Sequence, residues 1–313
     1  MQRGEQMLSG LLFFPVTPFH EEGSVDAEVL ASHIERGIVA GAGAVFVACG
    51  TGEFHALSES DYRIAVQTAV EVANGRVEVV AGVGGALPLA QNFAVLAADA
   101  GADGTLVLPP YLVAGPPLGL AKYVTDIVDS APLPAIVYQR NNAVFDLDSA
   151  RALAQHPGVR GFKDGIGDIA RVKAIREVIL AETDREFLFF NGMPTAELSQ
   201  LEYRDVGVDL YSSAAFAFAP EIALAFYRAY VDHDDVTAER VLDTFYRPFA
   251  QLRDSVEGYA VALIKAGMTL RGHDAGSVRP PLLDVRPQHV ERLNTILDDG
   301  LRLADELALA GAR

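Results

Sequence analysis

Eight short, almost continuously apolar runs recur through the first two-thirds of the chain, and this repetition restricts the fold more than any other feature. They are Leu11–Val16, Ala44–Ala48, Val77–Ala81, Thr105–Leu108, Ala135–Tyr138, Val159–Phe162, Phe187–Phe190 and Val208–Tyr211. A run that is apolar on both faces suits a parallel strand covered on both sides; a half-exposed strand would alternate. Ala-rich segments with helical spacing lie between them, among them Asp26–Ala40, Ser58–Ala73, Pro88–Ala100 and Pro116–Ser130. Ser58 followed by Asp61 has the pattern of an N-cap with an acidic first turn. Ala40-Gly41-Ala42 and Ala100-Gly101-Ala102 each precede a strand run, with glycine where a helix must turn back through a left-handed residue. Strands roughly 20–35 residues apart, alternating with helices, predict an α/β fold of the (β/α)8 (TIM) barrel type. A doubly wound open sheet competes with it, but that fold carries a glycine fingerprint after its first strand, where this chain has Thr17-Pro18-Phe19.

Beyond Tyr211 the pattern turns helical, over Pro220–Val231, Val236–Leu252, Tyr259–Arg271 and Pro287–Leu307. The first of these is expected to close the barrel and the others to form a C-terminal helical extension. No Ser/Gly/Pro-rich linker separates them, so the reading is a barrel over residues 8–232 with an extension over 233–313 packed on it. Half of the 313 residues are hydrophobic, enough for a large core. The net charge of −17 repels phosphate backbones and anionic lipid, which argues against nucleic acid and membranes as partners. An acidic small molecule remains compatible, because a few local cations and N–H groups can hold an anion. Cys49 is the only cysteine, so no internal disulfide is available. Met1–Gly10 lacks the apolar stretch of a secretory leader and no run is long enough to span a bilayer, so a soluble cytoplasmic protein is expected. The seven histidines are scattered without ligand spacing, and no metal site is expected. There is no GxSxG elbow to support a hydrolase.

In a barrel of this kind chemistry sits at the C-terminal ends of the strands. The sixth run leads into Lys163-Asp164-Gly165, and Lys163 shares a strand face with Gly161, pointing into the barrel. A lysine desolvated there is neutral enough to attack a carbonyl and form an imine. Taken alone, Lys-Asp-Gly is equally ordinary turn chemistry. Gly50-Thr51-Gly52 after the second run offers N–H groups and a hydroxyl to a carboxylate, or is simply a tight turn. Tyr138 ends the fifth run, either as a proton-transfer group or as an aromatic of the barrel rim. A phosphate-binding barrel isomerase would need a glycine-rich loop after strands seven or eight; Asn191-Gly192-Met193 and Tyr211-Ser212-Ser213 offer little of that.

Gly50-Thr51-Gly52-Glu53, Tyr138, Gly161-Phe162-Lys163-Asp164 and Arg279-Pro280-Pro281-Leu282 occur in an order that resembles the dihydrodipicolinate synthase/N-acetylneuraminate lyase family, over roughly Leu8 to Leu297. Phe14-Pro15-Val16-Thr17, Leu108-Pro109-Pro110-Tyr111-Leu112 and Tyr211-Ser212-Ser213 add to the likeness. The resemblance implies that Lys163 forms the Schiff base, Tyr138 transfers protons, and Gly50, Thr51 and Gly52 hold the carboxylate beside the ketone. It implies a small-molecule keto-diacid substrate, with 5-dehydro-4-deoxy-D-glucarate converted to 2,5-dioxopentanoate by loss of water and CO2. It also implies no cofactor beyond the covalent lysine adduct, and a homo-oligomer, tetramer or dimer. The distal carboxylate of such a substrate needs a partner. Arg140 with Asn141 or Asn142 is one candidate and the Ser212/Ser213 pair another, although Arg140 equally suits a surface or interface ion pair. Departures from the family pattern are informative. Many members carry Ser or Thr where this chain has Gly50, and synthase-type members carry a relay tyrosine near Leu112, whereas the tyrosine here is Tyr111. The relay of hydroxyls to Tyr138 is thereby interrupted, which points away from synthase chemistry. A 2-keto-3-deoxy sugar acid aldolase of the same superfamily and a non-catalytic sugar-acid-binding barrel are the alternative readings.

Overall fold

The computed structural model describes residues 8–311, so the Met1–Met7 part of the N-terminal reading lies outside the described residues. Eight parallel strands close into a barrel in chain order: β1 (Leu11–Phe13), β2 (Ala42–Val47), β3 (Glu78–Val83), β4 (Gly104–Val107), β5 (Ala135–Gln139), β6 (Val159–Asp164), β7 (Leu188–Asn191) and β8 (Leu210–Ser213). β1 pairs with β8 and completes the ring. Each strand overlaps one of the apolar runs. Their alternate residues fill two separate cores. Phe14, Phe46, Val80, Leu106, Ile136 and Phe190 pack inside the barrel. The other faces pack against the surrounding helices, with Val45, Val79, Val107, Val137 and Phe162 among them. Double burial is why the strand runs are unbroken rather than alternating.

The helices are α1 (Ala27–Ala40), α2 (Glu59–Ala73), α3 (Leu87–Ala100), α4 (Pro117–Val128), α5 (Leu147–Gln155), α6 (Ile169–Glu182), α7 (Gln200–Asp205) and α8 (Pro220–Val231). Asp26 caps α1 by accepting from Val29 N at 2.9 Å. Ser58 and Asp61 form a reciprocal capping box on α2, a feature that contributes about 1 kcal/mol. Gly41 and Gly101 end α1 and α3 in left-handed conformations, φ 103° and 87°, so the sequence echo marks the same turn twice.

After α8 the chain continues as α9 (Asp235–Val241), a turn of π-helix (Leu242–Tyr246), α10 (Arg247–Arg253), α11 (Tyr259–Leu270) and α12 (Pro287–Gly311). The sequence pattern predicts one helix over Val236–Leu252. The structure keeps its extent but inserts the π turn, which no hydrophobic spacing announces and which rotates the faces that follow it. Leu242, Phe245, Leu252, Leu263 and Leu293 from these helices share one buried cluster with the outer layer of the barrel. Among the described residues, no helix is long and apolar enough to cross a membrane.

Candidate active site

β5 and β6 run in register, with Tyr138 opposite Lys163 and Gln139 opposite Asp164. Strand alternation turns the first pair into the barrel and the second pair outward. Lys163 is only 4% exposed. Its Nζ lies 4.1 Å from the centre of the Phe14 ring and 4.7 Å from that of Tyr138. Burial among these rings strips water from the ammonium and pushes its pKa down from 10.5 to about 7, and the nearby Arg140 guanidinium acts in the same direction. The space beside Lys163 on its own strand, at Gly161, is occupied by Phe190, whose ring would stand 2.8 Å from a Cβ there. Cys49 is also buried beneath the cavity, and burial pushes its thiol up to about 12, so it is a neutral wall rather than a second nucleophile.

The Tyr138 hydroxyl donates to the Gly192 carbonyl at 2.6 Å and accepts from Arg140 Nη1 at 3.2 Å. Burial raises the phenol above its ordinary value, while the Arg140 guanidinium opposes that shift. Gly192, directly after β7, lets the backbone approach this closely. A Cβ at that position would come 2.5 Å from Lys163 Cε and 2.7 Å from Tyr138 Cε2. Behind the strands, Gln139 donates to Asp164 at 2.7 Å, and Asp164 also accepts from Gly167 N at 2.9 Å and from the Tyr203 hydroxyl. The Gln139 amide therefore braces the ends of β5 and β6 from outside instead of facing a ligand.

A cavity of about 310 Å3 opens above Lys163, within the range of small-molecule sites. Of the residues singled out in the sequence, Lys163, Tyr138, Gly50, Thr51, Arg140 and Ser212 line it. Gly52, Asn141 and Ser213 lie outside its wall. Gly52 is buried in the turn, where its carbonyl accepts from Thr17 Oγ1 at 2.7 Å. Asn141 takes a left-handed conformation, φ 51°, at an exposed turn. Ser213 follows Ser212 on a strand and so points the opposite way, donating to Glu197 at 2.5 Å. Asn142 is also diverted, its amide donating to the Pro110 and Val113 carbonyls.

The Gly50–Glu53 turn is held from the C-terminal side. Glu53 is fully buried, forms an ion pair with Lys265 of α11 at 2.8 Å, and accepts from Arg279 N at 2.8 Å. Arg279 in turn pairs with Asp61 at 2.7 Å. The Arg279-Pro280-Pro281-Leu282 motif thus ties the extension to the turn after β2, and Leu282 reaches the cavity wall. A larger recess of about 960 Å3 lies on the far side of this tie, between the segment after β1, α11 and residues 274–285. Its cations Lys265 and Arg279 are already engaged, and Lys163 does not open into it.

Among the cavity residues to which sequence reasoning gave no role are Phe14, Thr195, Phe249 and Arg253. Phe249 and Arg253 are four residues apart on α10, and an arginine in line with an apolar helix face is the signal that could have found them. Among the described residues, no group of His, Cys, Asp and Glu could hold a metal ion.

A barrel whose mouth sets a desolvated, partly neutral amine beside a buried phenol is suited to imine chemistry on a carbonyl compound. The chain belongs to the Dihydrodipicolinate synthetase family, which it matches over residues 7–299. It is 51% identical, over 95% of each chain, to a Streptomyces coelicolor protein named probable 5-dehydro-4-deoxyglucarate dehydratase 1. A Delftia acidovorans protein named probable 5-dehydro-4-deoxyglucarate dehydratase is 41% identical over 93% of this chain and 95% of its own. Among solved structures, dihydrodipicolinate synthase from Bacillus clausii aligns with a TM-score of 0.85 at 25% identity, covering 93% of this chain and 97% of that one. The Oceanobacillus iheyensis enzyme aligns at 0.84 and 25%, covering 92% and 95%.

Proposed function

We propose that this chain is a class I, Schiff-base lyase that converts 5-dehydro-4-deoxy-D-glucarate to 2,5-dioxopentanoate with loss of water and CO2. The observation that carries this reading is the Lys163 amine, buried between Phe14 and Tyr138 with its pKa near 7. The names of the relatives supply the substrate. Lys163 attacks the ketone carbon, and the carbinolamine oxygen leaves as water, taking a proton from Tyr138. The phenolate, stabilised by Arg140, removes a proton from the adjacent CH2 and gives an enamine. The enamine expels the β-hydroxyl, which leaves as water with the proton Tyr138 has just gained. The iminium is now conjugated toward the distal end. The bond to the distal carboxylate breaks, its electron pair moves toward the iminium nitrogen, and CO2 departs. Tautomerisation and hydrolysis then release the product and free Lys163. The imine nitrogen is the electron sink in both steps, so the reading requires no cofactor. Gly50 and Thr51 would hold the carboxylate beside the ketone.

The test is an NMR time course with 5-dehydro-4-deoxy-D-glucarate. Formation of 2,5-dioxopentanoate and CO2 is the expected result. Pyruvate with a three-carbon semialdehyde would instead mark an aldolase, and binding without turnover a sugar-acid-binding barrel. The same assay examines the interrupted relay. A Cβ at Gly50 meets open space, so Gly50→Ser fits without strain and returns a hydroxyl to the mouth. Pyruvate should then appear as a side product, and its absence would remove the relay from the account of reaction choice.

The reading includes work in the cytoplasm, in keeping with the single free thiol at Cys49, and a homodimer or homotetramer. In support of assembly, the segment after β4 presents Tyr111 (76% exposed), Leu112 (86%), Val113 (57%) and Leu118 (60%) together. An apolar rim of this kind is usually covered. Sedimentation should give a particle of at least twice the 33.4 kDa chain, reduced by Leu112→Asp; a monomeric wild type would refute this part.

A further inference from the structure

We infer that Arg253, held by Thr195, is the diacid-specificity residue of the cavity, binding the distal carboxylate of a keto-diacid whose ketone is on Lys163. The inference rests on the keto-diacid reading and adds to it the group that recognises the second charge. Among the described residues, two arginines line the cavity, Arg140 and Arg253. Arg140 is committed to the reacting end, where it donates to the Tyr138 hydroxyl. Arg253 enters from outside the barrel, on the last turn of α10, and reaches the cavity with Phe249 one turn before it. The π turn at Leu242–Tyr246 immediately precedes α10 and resets which face of the helix looks inward.

Thr195 provides an independent sign of function. It is β-branched, buried, and held at φ 54°, a conformation that β-branched residues avoid. Strain of this kind persists where the surroundings over-determine it, and it gathers at ligand clamps. Here the residues just after Thr195 are pinned to the ends of β7 and β8. Asn191 donates to the Ala196 carbonyl at 3.0 Å, and Glu197 accepts from Ser213. The outcome is that the Thr195 hydroxyl meets Arg253 Nη1 at the cavity wall.

The rest of the guanidinium faces Asp254, at 2.7 Å from Nε and 2.9 Å from Nη2. Asp254 is exposed, so it can yield to a substrate carboxylate and return afterwards. This pairing resolves a chemical conflict. A carboxylate locked in a full bidentate salt bridge resists leaving as CO2. A guanidinium already shared with Thr195 and Asp254 grips it less tightly and has a replacement anion at hand once the charge is gone.

The test uses two non-hydroxylated probes that form an imine but cannot dehydrate: 2-oxoadipate, with two carboxylates, and 2-oxohexanoate, with one. Trapping each on Lys163 with borohydride gives a diacid preference that does not depend on turnover. Failure of the wild type to process 5-dehydro-4-deoxy-D-glucarate would therefore leave this readout intact. The wild type should favour 2-oxoadipate by about tenfold to a hundredfold, the range of one charge-assisted contact. Arg253→Met should bring the ratio near unity, with the loss falling on the diacid, and Arg253→Lys should restore part of it. Asp254→Asn, at an exposed position that folding tolerates, should raise the preference by freeing the guanidinium. No preference in the wild type, equal loss for both probes in Arg253→Met, or collapse of the ratio in Arg140→Met but not in Arg253→Met would each overturn the assignment.

Discussion

Lys163→Ala should lose borohydride trapping of pyruvate and of the keto-diacid, and turnover should fall by at least about four orders of magnitude, the scale seen when a covalent nucleophile is removed. An ordinary lysine at pH 7 is neutral in only about one molecule in three thousand. Burial of Lys163 brings its pKa to about 7, so near neutrality about half of the molecules carry the free amine. Imine formation should therefore rise with pH through 6 to 8 and level off above, instead of climbing toward pH 10. The same shift has a consequence for stability. Between pH 7 and 10.5 the unfolded chain holds a proton on this lysine that the folded chain has lost. Stability thus increases with pH across that window, and below pH 7 the full cost of burying the amine is felt. Lys163→Met keeps the volume and removes the cost. It should melt higher than the wild type at pH 6, by up to about 4–5 kcal/mol of unfolding free energy, with the gain shrinking toward pH 10. Thermal melts at pH 6, 8 and 10 measure this. A Lys163→Met protein less stable than wild type at all three would mean that the amine is not desolvated as described, and full trapping in Lys163→Ala would move the nucleophile elsewhere.

The barrel was legible in the sequence because its strands are buried on both faces, and that condition writes itself as unbroken apolar runs. The ends of those runs located Lys163 and Tyr138 by the single rule that barrel chemistry sits at strand C-termini. Positions that depend on local geometry beyond the strand were harder. Ser212 and Ser213 read as a pair in the sequence, yet strand alternation alone separates them, and the structure gives only Ser212 to the cavity. Asn141 beside Arg140 looked like a second polar contact, but the left-handed turn at Asn141 carries it to the surface. Gly52 completed an attractive glycine pair, but its carbonyl belongs to Thr17. Arg253 was beyond reach for a different reason. Its approach depends on how the helices after α8 fold back over the mouth and on a π turn with no hydrophobic signature. The extension, which the sequence suggested only as an appendage, supplies Phe249, Arg253, Val261, Ile264 and Leu282 to the cavity wall. It therefore contributes to the site and also secures the Gly50–Glu53 turn through the Lys265–Glu53 pair.

Tyr138→Phe should separate proton transfer from imine formation. The ring stays, because it packs over Lys163 and is buried, and only the hydroxyl is removed. The Gly192 carbonyl loses its donor, at a cost of about 1–3 kcal/mol of stability if no water replaces it. The chemical loss is larger. In the proposed mechanism three proton movements pass through this oxygen: to the carbinolamine hydroxyl, from the CH2, and to the departing β-hydroxyl. Loss of a positioned acid–base group costs about 10²–10⁴-fold, so kcat for diacid consumption should fall by that range. Imine formation should be slowed less, since water can carry the first proton, and Lys163 keeps its buried amine. Tyr138→Phe should therefore trap pyruvate with borohydride to completion given time, where Lys163→Ala does not trap it at all. The rise in trapping near pH 7 should persist in Tyr138→Phe, because it belongs to Lys163. Deuterium exchange at the pyruvate methyl is the direct measure of the second proton movement, and it should drop with kcat while trapping survives. Exchange within threefold of wild type in Tyr138→Phe would assign the proton to another group and leave Tyr138 as a wall of the amine pocket.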